Sequence, residues 1–436
     1  MSNQNNSIMR TKIVSSIFLC LVPSLIIILN NHFNSYIYSL FVGLLLSFLL
    51  RLPLNVFCFG YLWASAISIL IGNWHISITS EPYIVNLLGD GADDKRYAEA
   101  VLDPLFNGRL LPYPNMLKFF LKPLDFFSQI SFYNLISINC LFHSLGASAM
   151  LKIIRKFDLG LKAEKFGFYS YLFFPILLID GLTLMRDGII ASLTTILIYS
   201  LFSFGIISIQ STIIFLSLTF LRIGSGLLFI VNSLITFLLT IKKLKFNYKL
   251  LTTVLLFGIL IIIFGGKIID YLIWKEMFSN FFIRSGMENE IITNLKEANI
   301  NILLSLPFGI KQFSLFLYFL FAPYGSPFEL FKGDSYLFFS SLFSFWNIFS
   351  IKLCSQDFFY QIKNYKTLEN RNYFRIIIFF VLGIYIIANY SIQLRHKSFI
   401  YPVQILLTCH ALKKNKLFDY SLTWFLTLPY ILLLFL

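Results

Sequence analysis

Long apolar runs separated by short polar segments dominate the pattern of this 436-residue chain. A helix that crosses a bilayer needs about 20 mostly apolar residues, or fewer where it tilts or borders an aqueous pocket. The runs lack the two-residue alternation of strands, so we predict an all-α, polytopic helical bundle with about 12–13 transmembrane helices. The predicted spans are residues 13–30, 36–50, 52–72, 131–151, 166–183, 188–204, 210–221, 223–241, 250–269, 335–353, 376–392, 398–412 and 419–436.

The composition agrees with a membrane location. Hydrophobic residues make up 57% of the chain, charged residues 13%, and the mean hydropathy is +0.76, outside the usual range of soluble globular proteins. The net charge of +14 would indicate nucleic acid as a partner of a soluble protein. Here most Lys and Arg lie in short segments between spans, so we expect the lipid bilayer, and no nucleic acid, as the partner.

The distribution of Lys and Arg also predicts the orientation. Basic residues precede the first span, which places the N-terminus in the cytoplasm under the positive-inside rule. Alternation of the spans then puts further basic segments on the cytoplasmic side: residues 152–165, 241–249, 352–375 and 413–416. The chain is therefore predicted to be a multi-pass protein with a cytoplasmic N-terminus.

Two large loops are expected on the outer side of the membrane, residues 73–130 and 270–334, within one membrane domain that covers residues 1–436. Residues 302–322 are apolar, but they contain a proline, a lysine and a glutamine. Counting them as a span would move the basic segment 352–375 to the outer side. We therefore predict a re-entrant or interfacial helix there.

Charged residues interrupt the apolar pattern at predicted outer turns. Residues 166–205 are too long for one span and suit two, which places Arg186 and Asp187 at the outer hairpin. In the same way, residues 210–241 suit two short crossings with Arg222 at their outer turn. Helices interrupted at this depth are tolerated where they line a protein or water cavity.

More charged residues fall on the same face. The first outer loop contains a carboxylate cluster, Asp90, Asp93 and Asp94, and a helix that begins there would place Asp93 and Tyr97 on one side. Basic residues come from the second outer loop and from the segment between the last spans: Arg284, Arg395, His396 and Lys397. We therefore expect both signs of charge to meet at one face.

Ionisable residues at membrane depth indicate a functional site. A carboxylate can accept the proton of a sugar hydroxyl, and cations can hold a diphosphate leaving group, which predicts glycosyl transfer from a polyprenyl-(di)phosphate carrier. We expect Asp187 to pair with Arg186, and we assign the base to the cluster at residues 90–94, with Asp93 ahead of Asp94. The candidate substrate-binding residues are Arg186, Asp187, Arg222, Arg284, Arg395, His396 and Lys397. No spacing is diagnostic of a metal, so we expect neither a metal nor a cofactor.

Three segments resemble motifs of the bacterial O-antigen and capsular polysaccharide repeat-unit polymerases and, more loosely, of the C-type membrane glycosyltransferase superfamily. They are the acidic stretch GDGADD (89–94), the proline-led hairpin FPILLIDGLTLMRDG (174–188) and the basic group RHKSFIYP (395–402). The resemblance implies a polymerase at the periplasmic face of the bacterial inner membrane, in lipopolysaccharide or other polysaccharide biosynthesis. Its substrate would be an undecaprenyl-diphosphate-linked oligosaccharide, and its partners a chain-length regulator and a flippase.

Other functions stay open at this point. One is a C-type glycosyltransferase that uses a polyprenyl-phosphate sugar as donor. Another is a polysaccharide flippase or transporter, which would carry charges deep in several spans and often a repeated organisation. A third is an assembly protein without chemistry. The clustering of charges at one face, in a sequence without an evident repeat, favours an enzyme.

Overall fold

The computed structural model of the chain describes helical segments and the turns that join some of them. The described residues are 20–29, 33–79, 93–102, 112–125, 131–174, 177–178, 181, 186–204, 208–222, 226, 229–230, 306–307, 310–321, 346–355, 357, 376–377, 379–381, 383–385 and 394–414. Within these ranges the regular structure is helical and contains no strand, which confirms the predicted all-α class for this part of the chain.

The helices follow one another in a simple order. They are α1 (Phe33–Leu49), α2 (Leu54–Thr79), α3 (Asp93–Leu102), α4 (Pro112–Asp125), α5 (Phe132–Lys156), α6 (Leu161–Leu172), α7 (Arg186–Phe204), α8 (Ile209–Leu221), α9 (Ile310–Phe321) and α10 (Tyr401–Lys414). A short 3-10 helix, Leu394–Phe399, leads into α10. Residues 346–355 are also helical.

Within the described residues, three helices are long and apolar enough to cross a membrane, by length and composition: Leu54–Asn73 within α2, Phe132–Lys156 and Arg186–Phe204. The surface supports the same interpretation, because α8 exposes one apolar stripe. Its members are Ile209, Ile213, Leu216 and Phe220. Their spacing places them on one side of the helix, where lipid would cover them. The total number of spans stays a prediction.

Helix α5 is the centre of the bundle, with α1, α2, α6 and α7 packed around it. Its small polar residues fit this position because they find partners inside the bundle. Ser137 Oγ lies 2.6 Å from Ser39 Oγ, and it also approaches the carbonyl of Ser35 at 3.2 Å. Small side chains allow close approach of helices, and hydrogen bonds between them satisfy groups that lipid cannot.

The basic segment at residues 152–165 is a tight turn between α5 and α6. Asp158 and Gly160 take positive φ angles of 48° and 87°, which reverse the chain after Lys156. The left-handed region costs glycine no steric strain, so Gly160 suits this turn. Across it, Arg155 Nε donates to Glu164 Oε2 at 2.8 Å.

Two helices end at positions that differ from the predicted spans. Helix α2 continues past residue 72 to Thr79, into the predicted outer loop. Helix α6 ends at Leu172, well inside the predicted span 166–183, because the proline that follows at position 175 cannot donate a helical hydrogen bond. The freed carbonyl of Leu172 is instead 3.0 Å from His143 Nε2 in α5.

The first outer loop contains two helices that pack together, α3 and α4. Helix α4 buries Tyr113, Leu117 and Leu121 while Phe119 stays 74% exposed, the pattern of a helix with an apolar inner face and an outer face suited to a membrane interface. Helix α9 lies within the predicted re-entrant segment, and its 12 residues are shorter than a full crossing requires. Most of the second outer loop, residues 270–334, lies outside the described residues.

A glycine substitution tests the packing of α1 on α2. A side chain at Gly43 would collide with the ring of Phe57, which is fully buried, so Gly43→Ala should lower the free energy of unfolding by about 1–3 kcal/mol. Gly60 is the matched control, because a Cβ there would meet only ordinary contacts, the nearest at 3.7 Å. Gly60→Ala should be neutral or slightly stabilising in thermal unfolding of the detergent-solubilised protein. Equal losses from both variants would contradict this packing.

Candidate functional site

A buried carboxylate at the start of α7 is the centre of the candidate site. Asp187 is 1% exposed, and its Oδ1 lies 2.7 Å from Nη1 of Arg222, the residue that ends α8. At this distance the guanidinium and the carboxylate form an ion pair. Ser398 Oγ, from the 3-10 helix, is at 3.5 Å from the same oxygen. Asp187 therefore joins three separate elements.

The sequence predicted Arg186 as the partner of Asp187, and the structure gives Asp187 a different cation. Successive residues of a helix point in different directions, so Arg186 and Asp187 cannot face each other within α7. Arg222 reaches Asp187 because α7 and α8 pack side by side. The position of Asp187 in the first turn of α7 also places its negative charge at the favourable end of the helix dipole.

Arg186 is left with a different environment. It begins α7 and is partly buried, and within the described part of the chain its Nε is buried without a hydrogen-bond partner. A buried guanidinium nitrogen without a partner is costly, and a bound anion would remove that cost. Among the described side chains of these three elements, Arg186, Arg222 and Lys397 are basic and Asp187 is acidic.

Lys397 is the most deeply buried cation of the site. Its side chain is 1% exposed, and Nζ lies 5.6 Å from the ring centroid of Tyr401 in the next helix. It stands in the 3-10 helix, outside the predicted spans, and next to Ser398. Loss of hydration on burial lowers the pKa of Lys397 to about 7. Its ammonium form is therefore less favoured here than in water.

The helices of the first outer loop dock against this site through aromatic residues. Tyr113 in α4 is fully buried and donates to Asn139 Oδ1 of α5 at 2.8 Å. The ring of Tyr97 in α3 packs edge-on against Tyr113, with centroids 4.9 Å apart. Burial raises the pKa of Tyr113 well above its usual value, and the negative charge of Asp187 contributes to that rise. The first outer loop therefore reaches the surroundings of Asp187.

The other predicted site residues have different outcomes. Asp93 and Asp94 are the first residues of α3, one turn before Tyr97, although their side chains lie outside the described part. Arg395 and His396 belong to the 3-10 helix with Lys397, and their side chains are likewise outside it. Asp90 and Arg284 lie outside the described residues. The elements that carry Arg186, Arg222 and Lys397 thus come from distant parts of the sequence to neighbouring positions, and the helix that begins at Asp93 packs on α4 and α5.

A polar seam between residues 346–357 and α10 was missed in the sequence. It consists of buried side-chain pairs that cross from one helix to the other: Gln404 Nε2 to Asn347 Oδ1 (2.6 Å), Ser350 Oγ to Thr408 Oγ1 (2.6 Å) and His410 Nδ1 to Asp357 Oδ2 (2.7 Å). Asn347 and Ser350 are three residues apart, and Gln404 and Thr408 are four apart. This spacing within apolar runs could have indicated a polar contact between two helices. The seam holds the helix that directly follows Lys397.

Comparisons with protein-family models, with curated proteins and with solved structures found no match. The possible chemistry of the site is therefore inferred from its residues. A buried ion pair joins Arg222 to Asp187, and the elements that carry Arg186 and Lys397 pack at the same junction. Guanidinium groups suit phosphate ligands, because their forks match phosphate oxygens and stay charged.

Breaking the buried ion pair of Asp187 should lower the free energy of unfolding far more than breaking one at the surface. Asp187→Asn removes the described carboxylate beside the guanidinium of Arg222, so the variant should lose about 3 kcal/mol of unfolding free energy. The double variant Asp187→Asn with Arg222→Met should recover most of that loss. The control is Glu164→Gln at the exposed ion pair with Arg155, which should cost less than about 1 kcal/mol.

Chemical denaturation of the solubilised protein measures the wild type and the three variants. A double variant as unstable as Asp187→Asn alone would contradict the assigned pairing, because the two changes would then act independently.

Proposed function

We propose that this chain is a polytopic membrane glycosyltransferase that polymerises undecaprenyl-diphosphate-linked oligosaccharide repeat units at the periplasmic face of the bacterial inner membrane. One observation carries the proposal: Asp187 contacts Arg222 at the junction of α7, α8 and the 3-10 helix, where Arg186 precedes Asp187 and the buried Lys397 precedes Ser398. These basic side chains fit a diphosphate. The resemblance of residues 174–188 and 395–402 to polymerase motifs supports the same chemistry.

The proposed reaction transfers a growing glycan from one lipid diphosphate to a hydroxyl of the next lipid-linked unit. Negative charge on the diphosphate rises as the glycosidic bond breaks. Fixed cations in a site of low dielectric stabilise that charge without reorganising at the moment of reaction. Arg222, already oriented by Asp187, suits this role, and the unpartnered Nε of Arg186 is a second donor.

The acidic cluster of the first outer loop stays the first candidate for the base. Its support is the position of α3, which starts at Asp93 and docks through Tyr97 and Tyr113 near Asp187. A carboxylate raised in pKa by its acidic neighbours would accept the proton of the attacking hydroxyl. The proposed partners are the bilayer, a chain-length regulator and a flippase of the same pathway.

The polar seam favours a second candidate function, a polysaccharide flippase. Asp357 and His410 are buried at the end of α10 remote from Lys397. Buried ionisable residues distributed along a helix pair mark transport or proton pathways in other membrane proteins. The C-type transferase with a polyprenyl-phosphate donor uses the same site chemistry, so its product separates it from the polymerase.

Thiol labelling tests the proposed orientation. In a background without the native cysteines, Glu99→Cys and Lys118→Cys should react with an impermeant maleimide in intact spheroplasts, since both positions are exposed in the first outer loop. Lys162→Cys, exposed at the turn between α5 and α6, should react only after permeabilisation. The reverse pattern would overturn the periplasmic site.

Reconstitution tests the activity. Proteoliposomes containing the purified chain and lipid-linked repeat units, extracted from a host strain that lacks it, should form products of two or more repeats. Arg186→Lys should reduce this extension by about 100-fold because the planar fork is lost. Arg155→Lys, at the exposed turn, is the control and should extend at the wild-type rate.

The products separate the alternatives. Lengthening by single sugars from a polyprenyl-phosphate donor would indicate the C-type transferase. Movement of intact lipid-linked units across the bilayer without lengthening would indicate the flippase. Full activity of Arg186→Lys would show that the position needs only positive charge.

A further inference from the structure

We propose that a groove between α1 and α4 binds the lipid chain of the acceptor, the second lipid-linked unit of the transfer, and that Lys122 contacts the diphosphate of this acceptor. The inference rests on the proposed function and deepens it, because it gives the two lipids of the reaction separate places. In the proposed function, the basic residues around Asp187 hold the diphosphate that leaves. The acceptor keeps its own diphosphate, which needs a second place.

The groove is apolar and open at the surface of the bundle. Its volume is about 420 Å³, and its lining consists of Tyr38, Val42, Phe119, Phe120, Lys122 and Pro123. Contacts below the surface fix its shape. Tyr38 Oη donates to the carbonyl of Phe120 at 2.6 Å, and the ring of Phe120 packs edge-on against Phe142 of α5, with centroids 5.5 Å apart. The groove is therefore preformed, as most sites for small ligands are.

A stripe of apolar residues continues the groove along α1. Tyr38, Val42, Leu45 and Leu49 are spaced by three or four residues, which places them on one side of the helix. Leu45 and Leu49 are 59% and 55% exposed. The predicted orientation puts Tyr38 at the outer end of α1 and Leu49 at the cytoplasmic end. A hydrocarbon chain that enters the groove at the outer face can therefore follow the stripe into the bilayer.

The charge of Lys122 complements a phosphate group at the edge of the groove. Lys122 is exposed in the last turn of α4, and it is the one charged residue among the described residues that line the groove. A lysine contacts phosphate as a point charge. An apolar lining with one cation at its edge thus fits a hydrocarbon chain that carries phosphate.

The distance from the candidate site selects the acceptor as the occupant. Tyr113, near the start of α4, lies within electrostatic range of Asp187, and α4 packs on α8, the helix that ends at Arg222. Lys122 follows Tyr113 by nine residues of the helix, a distance of about 13 Å. The attacking hydroxyl belongs to a sugar remote from the acceptor's own diphosphate, so the oligosaccharide must span the gap between the two diphosphates. A gap of this order suits a few sugar rings.

Variants of the groove should weaken the binding of the acceptor alone. In the proteoliposome assay, a lipid-linked glycan of several repeats is the saturating donor, and the concentration of a single lipid-linked repeat is varied. Lys122→Gln and Val42→Phe, which fills the groove, should raise the KM for this acceptor about tenfold at a nearly unchanged kcat. The matched controls are Lys118→Gln, at an exposed lysine of the same helix, and Ile213→Phe, at an exposed apolar position of α8. Neither control residue lines the groove, so both variants should behave as the wild type.

An acceptor without a lipid chain separates the groove from the phosphate contact. It is the same oligosaccharide diphosphate, esterified with a methyl group. With this acceptor Val42→Phe should have the KM of the wild type, because no chain competes for the groove. Lys122→Gln should keep its raised KM, because the diphosphate is still present.

Photolabelling tests the groove without catalysis. Benzoylphenylalanine, a photoreactive residue, takes the place of Phe119 in the full chain, in vesicles of phosphatidylcholine with radiolabelled undecaprenyl-diphosphate-linked repeat units. Unlabelled undecaprenyl diphosphate in excess should abolish the labelling, and phosphatidylglycerol in excess should not. The same residue in place of Phe220, on the exposed stripe of α8, is the control and should give no saturable labelling.

The outcomes separate this inference from the proposed function. A raised KM for the donor, a lower kcat at an unchanged KM, or equal KM values in Val42→Phe and the wild type for the lipid-linked acceptor would overturn the acceptor groove. Competition by phosphatidylglycerol would overturn it in favour of a bilayer lipid. Gel filtration and thermal unfolding identify any variant that fails to fold. Absence of extension by the wild-type chain would overturn the polymerase and the acceptor role with it, and the photolabelling then shows separately whether the groove binds a polyprenyl diphosphate.

Discussion

The cost of an uncompensated charge away from water is the constraint on which the site depends. Asp187 is almost fully buried, and Arg222, 2.7 Å away, offsets much of the cost of burying its charge. The ion pair has a geometric consequence, since it fixes the start of α7 to the end of α8. Ser398 extends the same junction to the 3-10 helix. The need to compensate the charge of Asp187 therefore helps to fix α7, α8 and the 3-10 helix next to one another.

A second requirement acts on the uncharged polar groups of the bundle. Lipid offers no hydrogen bonds, so a carbonyl freed by a helix end must find a partner in the protein. His143 fills that role for Leu172 where α6 stops, and Ser39 and Ser137 satisfy each other between α1 and α5. The polar seam along α10 extends the rule to a whole helix pair. These contacts specify which helices are neighbours, which apolar packing alone does not.

The sequence predicted the long helices well because length and apolar content are local properties. Helices α5 and α7 begin within a few residues of the predicted spans. The early end of α6 was also signalled, by the proline at position 175, but the apolar run continued past it and dominated the prediction. Polar residues in the last turns of α2 interrupt the apolar run after residue 72, so the sequence did not predict that the helix continues to Thr79.

The candidate site was less accessible to sequence reasoning. Charge and position selected Arg186, Asp187 and Arg222, but adjacency in sequence gave Asp187 the wrong partner, since pairing depends on how α7 and α8 pack. The depth of Lys397 depends on tertiary packing in the same way, and no local pattern distinguishes it from a lysine at a span end. Tyr113 and Asn139 carry no charge, and no local pattern predicts the hydrogen bond between them.

The contact of the first outer loop with the bundle has a consequence for its response to the medium. Tyr97, Tyr113 and Asn139 join the loop helices to α5 through a ring contact and a hydrogen bond between neutral groups. Mobile ions screen exposed charges over about 8 Å at 0.15 M ionic strength, but they leave contacts of this kind nearly unchanged. The helices α3 and α4 should therefore stay docked across wide changes of salt concentration.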